Sequence, residues 1–307
     1  MSEGSIRTVL GDIPAEALGP THCHEHVLFL PAPRFGEDLV RTEEDLATAE
    51  LGSFQEAGGS GLIDATVAEH GRDAAALERV SVRSGIHVVA ATGHTAQEWW
   101  REEADPSQLT RDDLIAGISA NLTVGIGDTG VRAGVVKVGS SRDTITPAEK
   151  EVMRAAATVH RELGAPITTH TTAGTHALEQ TEFLLDGRVD PSRLCIGHVD
   201  CRMVWGDHRA IAGTGVYVGY DQIGREGEEA DRLRAEYIAR LVGEGFADRI
   251  LLGSDLAGRS DLSAWQGSPG LAYLLDSFVP LLERHGLGST EISRMLVENP
   301  RRFLAWV

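Results

Sequence analysis

Eight short runs rich in Val, Ile, Leu and Thr recur along the chain, and longer segments with helical spacing separate them. No other feature restricts the fold as much. The runs cover 19–26, 61–68, 87–92, 133–139, 166–171, 194–200, 215–221 and 249–255. The segments between them include 42–57, 73–84, 110–124, 147–163, 175–185 and 230–244. Strands joined through helices pair in parallel, because a tight hairpin can only reverse the chain. Eight such units predict a closed (β/α)8 TIM barrel of the α/β class. An open doubly wound sheet would call for a Gly-rich phosphate fingerprint after its first strand, and none is present. No Pro/Gly/Ser-rich linker or long charge run divides residues 1–307, so one domain is expected. Helix starts are read at Thr42 before two glutamates, at Thr146-Pro147 with Glu149, and at Ser289 ahead of Glu291.

Composition narrows the function. Hydrophobic residues make up 42% and charged residues 24%, an ordinary globular balance, and no apolar run is long enough to cross a bilayer. The formal charge of −18 repels phosphate backbones and anionic lipid, so nucleic acid and membranes are excluded as expected partners in favour of a small-molecule substrate. Three cysteines, Cys23, Cys195 and Cys201, make no disulfide framework, and the first residues carry no signal-peptide pattern. A cytoplasmic location is expected. Only Lys137 and Lys150 are lysines among 28 basic residues, so a lysine in an odd place calls for a reason.

In a barrel of this kind the chemistry lies at the C-terminal ends of the strands. The first run ends in His22-Cys23-His24-Glu25-His26, and strict alternation would point all three imidazoles the same way. Later runs end in His170, His198 and Asp255. Imidazoles with a carboxylate are ligands that Zn²⁺ prefers. Lys137 stands inside the fourth run, where an unpaired ammonium would cost several kcal/mol. Burial lowers an amine's pKa, and a neutral amine can add CO2 to give a carbamate able to bridge two metal ions. Arginine cannot. The plainer alternative is a lysine paired with Asp255.

Taken together, these residues resemble the phosphotriesterase family of the amidohydrolase superfamily over nearly the whole chain. The matching stretches are His24-Glu25-His26, Gly71-Arg72-Asp73, Ala91-Thr92-Gly93, Val136-Lys137-Val138, Thr168-Thr169-His170-Thr171, Cys195-Ile196-Gly197-His198, Ser254-Asp255, and the closing run from Glu298 through Asn299-Pro300-Arg301-Arg302 to Leu304. The resemblance implies a binuclear metal hydrolase. His24, His26 and Asp255 would hold the buried ion, His170 and His198 the exposed one, and carbamylated Lys137 would bridge them with a hydroxide. The ions would be Zn, with Mn, Co or Fe as substitutes. Asp255 would accept the nucleophile's proton, and the protein would be a homodimer.

The family's hydrolysis of lactones and organophosphates implies an ester substrate, foremost a lactone, with promiscuous phosphotriesterase activity. Thr95 stands where an aromatic residue is usual in the family, so substrate positioning is expected to differ. After His198 only Asp200 precedes Cys201 where a phosphotriesterase has successive acidic residues, an incomplete proton relay that weighs against fast organophosphate turnover. His94, Thr95, Trp99, Gln222, Arg225 and Trp265 are the expected substrate contacts. His22 reads as a core histidine, and Asp200 as either a proton relay or the start of the next helix. His70 near the active face is expected to be solvated or structural. His160, His176, His208 and His285 are expected to face solvent, and Cys23 and Cys201 to be small buried hydrophobes. Two other readings remain: a mononuclear deaminase-like amidohydrolase, against which Lys137 argues, and a catalytically weak barrel serving as a small-molecule binding protein.

Overall fold

The structure, a computed structural model, describes residues 4–102 and 105–306. Eight parallel strands stand side by side in chain order: β3 (Thr21–Glu25), β4 (Gly61–Asp64), β5 (His87–Gly93), β6 (Val135–Ser140), β7 (Ile167–Thr171), β8 (Leu194–Ile196), β9 (Tyr217–Tyr220) and β10 (Ile250–Leu252). Each falls on one of the eight runs, β5 and β6 ending one residue past theirs, and the fold is a TIM barrel. Period-two alternation divides their side chains into two layers. Ile63, Val89, Val135, Cys195 and Leu251 fill the interior, whereas Leu62, Val88, Val136, Ile196 and Leu252 pack outward.

The outer layer meets α1 (Glu44–Glu56), α2 (Ala74–Ser84), α3 (Arg111–Thr123), α4 (Pro147–Leu163), α5 (Ala177–Asp186), α6 (Trp205–Gly213), α7 (Glu228–Gly243) and α8 (Val279–Arg284), with α9 (Ser289–Ser293) and α10 (Asn299–Leu304) following. Among the described residues no helix is long and apolar enough to cross a membrane.

α4 starts as its sequence predicts. The Thr146 hydroxyl accepts from Glu149 N at 3.1 Å, and the Glu149 carboxylate accepts from Thr146 N at 2.7 Å. Two other starts need correction by one residue. Glu43, not Thr42, occupies the cap of α1 without a side-chain bond, and Gly288 precedes α9, donating its N–H to Glu291 at 3.1 Å. His160 and His208 do not face solvent: each is buried, and each ring bonds through both nitrogens, to Ala165 O and Asp190 N and to Tyr220 Oη and Arg202 O respectively. Of the two cysteines expected to be buried, Cys23 is and Cys201 is exposed.

The strand runs did not foretell a second sheet. β1 (Ser5–Thr8) and β2 (Gly11–Pro14) form a hairpin, and β1 also pairs antiparallel with β11 (Ala305–Trp306). It sits at the N-terminal ends of the barrel strands, where Val9 N donates to Val88 O at 2.8 Å and Ile6 joins Phe303 and Leu304 in plugging the interior. The opposite mouth is left to the site.

Candidate metal centre

The strand β3 does not alternate as its sequence suggests, because its register with β4 shifts between His22 and Glu25. His22 therefore points out of the barrel, edge-on to Phe54, with its nitrogens 2.6 Å from Glu25 Oε1 and 3.1 Å from Leu271 O. Cys23 packs in the interior, and His24 turns into the mouth. Three histidines at alternate positions thus supply two inward rings.

Both inward rings are oriented from behind. His26 Nδ1 is 2.8 Å from Thr66 Oγ1, which donates at 2.7 Å to Asp64 Oδ1 and leaves Nε2 facing Asp255 Oδ1 at 3.4 Å. His24 Nδ1 lies 3.3 Å from Asp221 Oδ2, and His198 Nδ1 lies 2.8 Å from Asp221 Oδ1. A single carboxylate so steers two imidazoles, each presenting Nε2 to the site. Burial alone would raise the Asp221 pKa, yet His198 and His24 hold it well below the usual carboxylate range. In turn, burial pulls His198 down, and Asp221 outweighs it and raises the imidazole. Asp221 fits here because Gly197 has no Cβ: one would stand 3.0 Å from Asp221 Oδ2 and 2.2 Å from Thr169 O.

At the front of these rings basic nitrogens converge. Lys137 Nζ is 2.6 Å from His24 Nε2, and His198 Nε2 is 2.8 Å from His170 Nδ1. Lys137 is 1% exposed, and burial pulls its amine down to about 8 against the pull of Asp255, Asp221 and Asp64. Among the described residues no carboxylate oxygen lies within ion-pairing distance of Nζ, so the plain salt bridge to Asp255 is not formed. Donor atoms of His24, His198 and Asp255 all lie within 4.8 Å of one another, a group fit to hold a metal ion. His198 and Asp255 both adopt left-handed backbone, φ 57° and 48°, an uncommon conformation for residues with a Cβ that is concentrated at functional sites.

A model of the phosphotriesterase family matches residues 4–304. The chain belongs to that family. A phosphotriesterase homology protein of Escherichia coli is 31% identical over 93% of this chain and 97% of its own length. A phospho-furanose lactonase of Mycoplasmopsis synoviae is 30% identical over 100% of this chain and 93% of its own. The crystal structure of a lactonase from Listeria monocytogenes superposes with a TM-score of 0.93 at 31% identity, covering 99% of both chains. This phosphotriesterase-family protein is accordingly a hydrolase, and His24, His198 and Asp255 at the barrel mouth form a group that could hold a metal ion.

Over that group lies a cavity of about 400 Å³. Three of the expected substrate contacts line it. Trp99 stacks on Phe35 at 3.9 Å, Gln222 Nε2 donates to Asp255 Oδ2 at 3.1 Å, and Arg225 donates to the same oxygen at 2.7 Å. His94, Thr95 and Trp265 stand outside it: His94 pairs with buried Glu69, Thr95 is buried, and Trp265 borders a small void behind His26. His70 does line the cavity, 3% exposed, with neither ring nitrogen hydrogen-bonded. Asp200 is taken up structurally, accepting from Arg234 Nε at 2.9 Å and from Gln222 N at 3.0 Å, and it borders no part of the cavity. Asp221, Asp64, Thr66 and Glu25 went unread in the sequence. Their one signal is position, since Asp64 and Asp221 end or directly follow strands, where barrel chemistry collects.

Proposed function

We propose that the protein is a binuclear metal-dependent hydrolase that opens lactones, with weak activity on phosphotriesters. The observation that carries this reading is the pairing of basic nitrogens around a buried lysine whose Nζ has no carboxylate oxygen within ion-pairing distance among the described residues. Carbamylation would turn that cation into an anion on the spot, and a carbamate bridge explains why lysine occupies the site. His24, His26 and Asp255 would hold one ion, His170 and His198 the other, with Lys137 between them; zinc is the first choice for such a donor set. Two bound cations would supply Lewis acidity, making a shared water acidic near neutral pH and polarising the carbonyl under attack.

The chain's own groups do the rest. Asp255 accepts the nucleophile's proton, and it is ionised to do so because His198 and Arg225 offset the burial that would raise it. Arg225 and Gln222 fix its Oδ2 from the cavity side. The apolar wall of Phe29, Phe35 and Trp99 receives the ring and alkyl part of the substrate. Opening a lactone leaves the alkoxide tethered within reach of the proton on Asp255, whereas a phosphotriester must release its leaving group. The lactonases among the relatives support the substrate class. Asp200, bound to Arg234, supplies no outward proton path, which fits slow phosphotriester turnover.

Elemental analysis of protein made with added zinc and bicarbonate, wild type beside Lys137→Ala, tests the reading together with lactone and phosphotriester assays. About two metals per wild-type chain, a sharp drop in the variant and preferential lactone opening are expected. One metal indifferent to Lys137 would overturn the bridged centre.

A further inference from the structure

At the barrel face away from the metal centre lies a second cavity, of about 660 Å³, that hydrolysis leaves unused. It opens among the N-terminal ends of β8, β9 and β10, beside α10. Four arginines line it: Arg193 before β8, Arg249 before β10, and Arg301 and Arg302 from the closing motif on α10. The one carboxylate in its wall, Glu298, stands 3.8 Å from Arg294. Guanidinium groups gathered in a recess repel one another unless an anion answers them. In a chain of formal charge −18 that gathering runs against the composition.

The four are not equivalent. Arg193 donates to Phe303 O at 3.0 Å and Arg301 to Leu18 O at 2.6 Å, so both tie α10 and the chain near it to the barrel floor. Arg302 reaches Asn299 Oδ1 at 2.5 Å and Asp248 at 3.3 Å. The Arg249 side chain makes no hydrogen bond or ion pair among the described residues, and its guanidinium carbon lies 5.7 Å from the centre of the Tyr217 ring. Tyr217 is 1% exposed and lines the cavity, and its hydroxyl has no hydrogen-bond partner among the described residues. Burial raises that phenol, so it stays protonated and able to donate.

The unengaged polar groups of the wall are thus N–H and O–H donors, a complement to an acceptor-only anion. A phosphate has oxygens for several donors at once, whereas a carboxylate offers two in a plane. The volume leaves room for an organic part. We propose that this cavity binds the phosphate monoester of a small metabolite, its phosphate held by Arg249, Arg302 and the Tyr217 hydroxyl. Because the strands separate it from the metal centre, occupancy stabilises the fold without competing with the ester substrate.

Titration calorimetry and thermal unfolding of the metal-loaded protein, with inorganic phosphate and with glucose 6-phosphate at constant ionic strength, test this. Arg249→Gln and Tyr217→Phe distinguish this cavity from the metal centre, which can also take phosphate. Both ligands are expected to bind the wild type and raise its Tm. Affinity should fall about tenfold in R249Q and about threefold in Y217F, with kcat and KM for the ester unchanged. Should R249Q fail to fold, Y217F decides alone, since it removes one oxygen atom. Isotherms identical in wild type and both variants would assign all binding to the metal centre and overturn the proposal, as would no binding at all.

Discussion

Asp221 shows how one side chain can decide what its neighbours do. Its Oδ1 hydrogen-bonds with His198 Nδ1 and its Oδ2 faces His24 Nδ1 at 3.3 Å, an arrangement that favours in each ring the tautomer whose Nε2 carries a lone pair toward the site. An amide in its place could accept from one ring only and would present its NH2 to the other. Asp221→Asn is therefore expected to lower metal content or kcat/KM by about 10- to 100-fold. Metal analysis and steady-state kinetics on the same preparation check it. A variant with full metal and full activity would show that the rings are oriented by packing alone.

At the scale of elements, the barrel closes where β3 meets the end of β10, and Glu25 is the fastening. Its Oε1 accepts from Ser254 N at 2.7 Å and Asp255 N at 3.3 Å, its Oε2 from Leu256 N at 3.2 Å, and His24 O accepts from Asp255 N at 3.1 Å. In Glu25→Gln the amide would confront the Leu256 N–H, leaving a buried donor unpaired, so a loss of about 2–3 kcal/mol in urea unfolding is expected. A loss below about 0.5 kcal/mol would mean that strand pairing suffices. The eight strands and most of the helices between them were legible because burial on two faces writes itself locally, in apolar runs and in caps such as Thr146 with Glu149. The hairpin β1–β2 was not, since only Ile6 and Thr8 in β1, and neither end of β2, are buried; its partner β11 comes from the far end of the sequence. The candidate group His24, His198 and Asp255 could be read from residue types and places at strand ends. The bulge that turns His22 away from His24 could not, nor could the service of Asp64, Asp221 and Glu25, because each gains its role from residues brought near only by the fold.

For the molecule as a whole, the site costs stability in a pH-dependent way. Burial pushes Asp64 up from 3.8 to about 6, against the bonds from Thr66 and Val27 N that favour its charge. Between about pH 4 and pH 6 the folded protein therefore holds a proton that the unfolded chain has released, so this residue's contribution falls as pH rises through that window. The unfavourable share is complete above about pH 6 and amounts to about 3 kcal/mol. Asp64→Asn removes it, and the stability of the variant relative to wild type should grow by about that amount from pH 4 to pH 7 in denaturant titrations. A difference flat with pH would place the Asp64 pKa near its ordinary value.

The seam at Glu25 also bears on how such a molecule is made. His24 and Asp255 stand side by side in space, yet the bonds that hold them there join residues 230 positions apart. During synthesis the early histidines leave the ribosome long before their carboxylate partner exists, and until β10 arrives there is no mouth for an ion to enter. Any metal held by His24, His198 and Asp255 would thereby be loaded late, on completion of the fold, and a chain stalled or truncated before residue 255 would lack one of the three groups that could hold it.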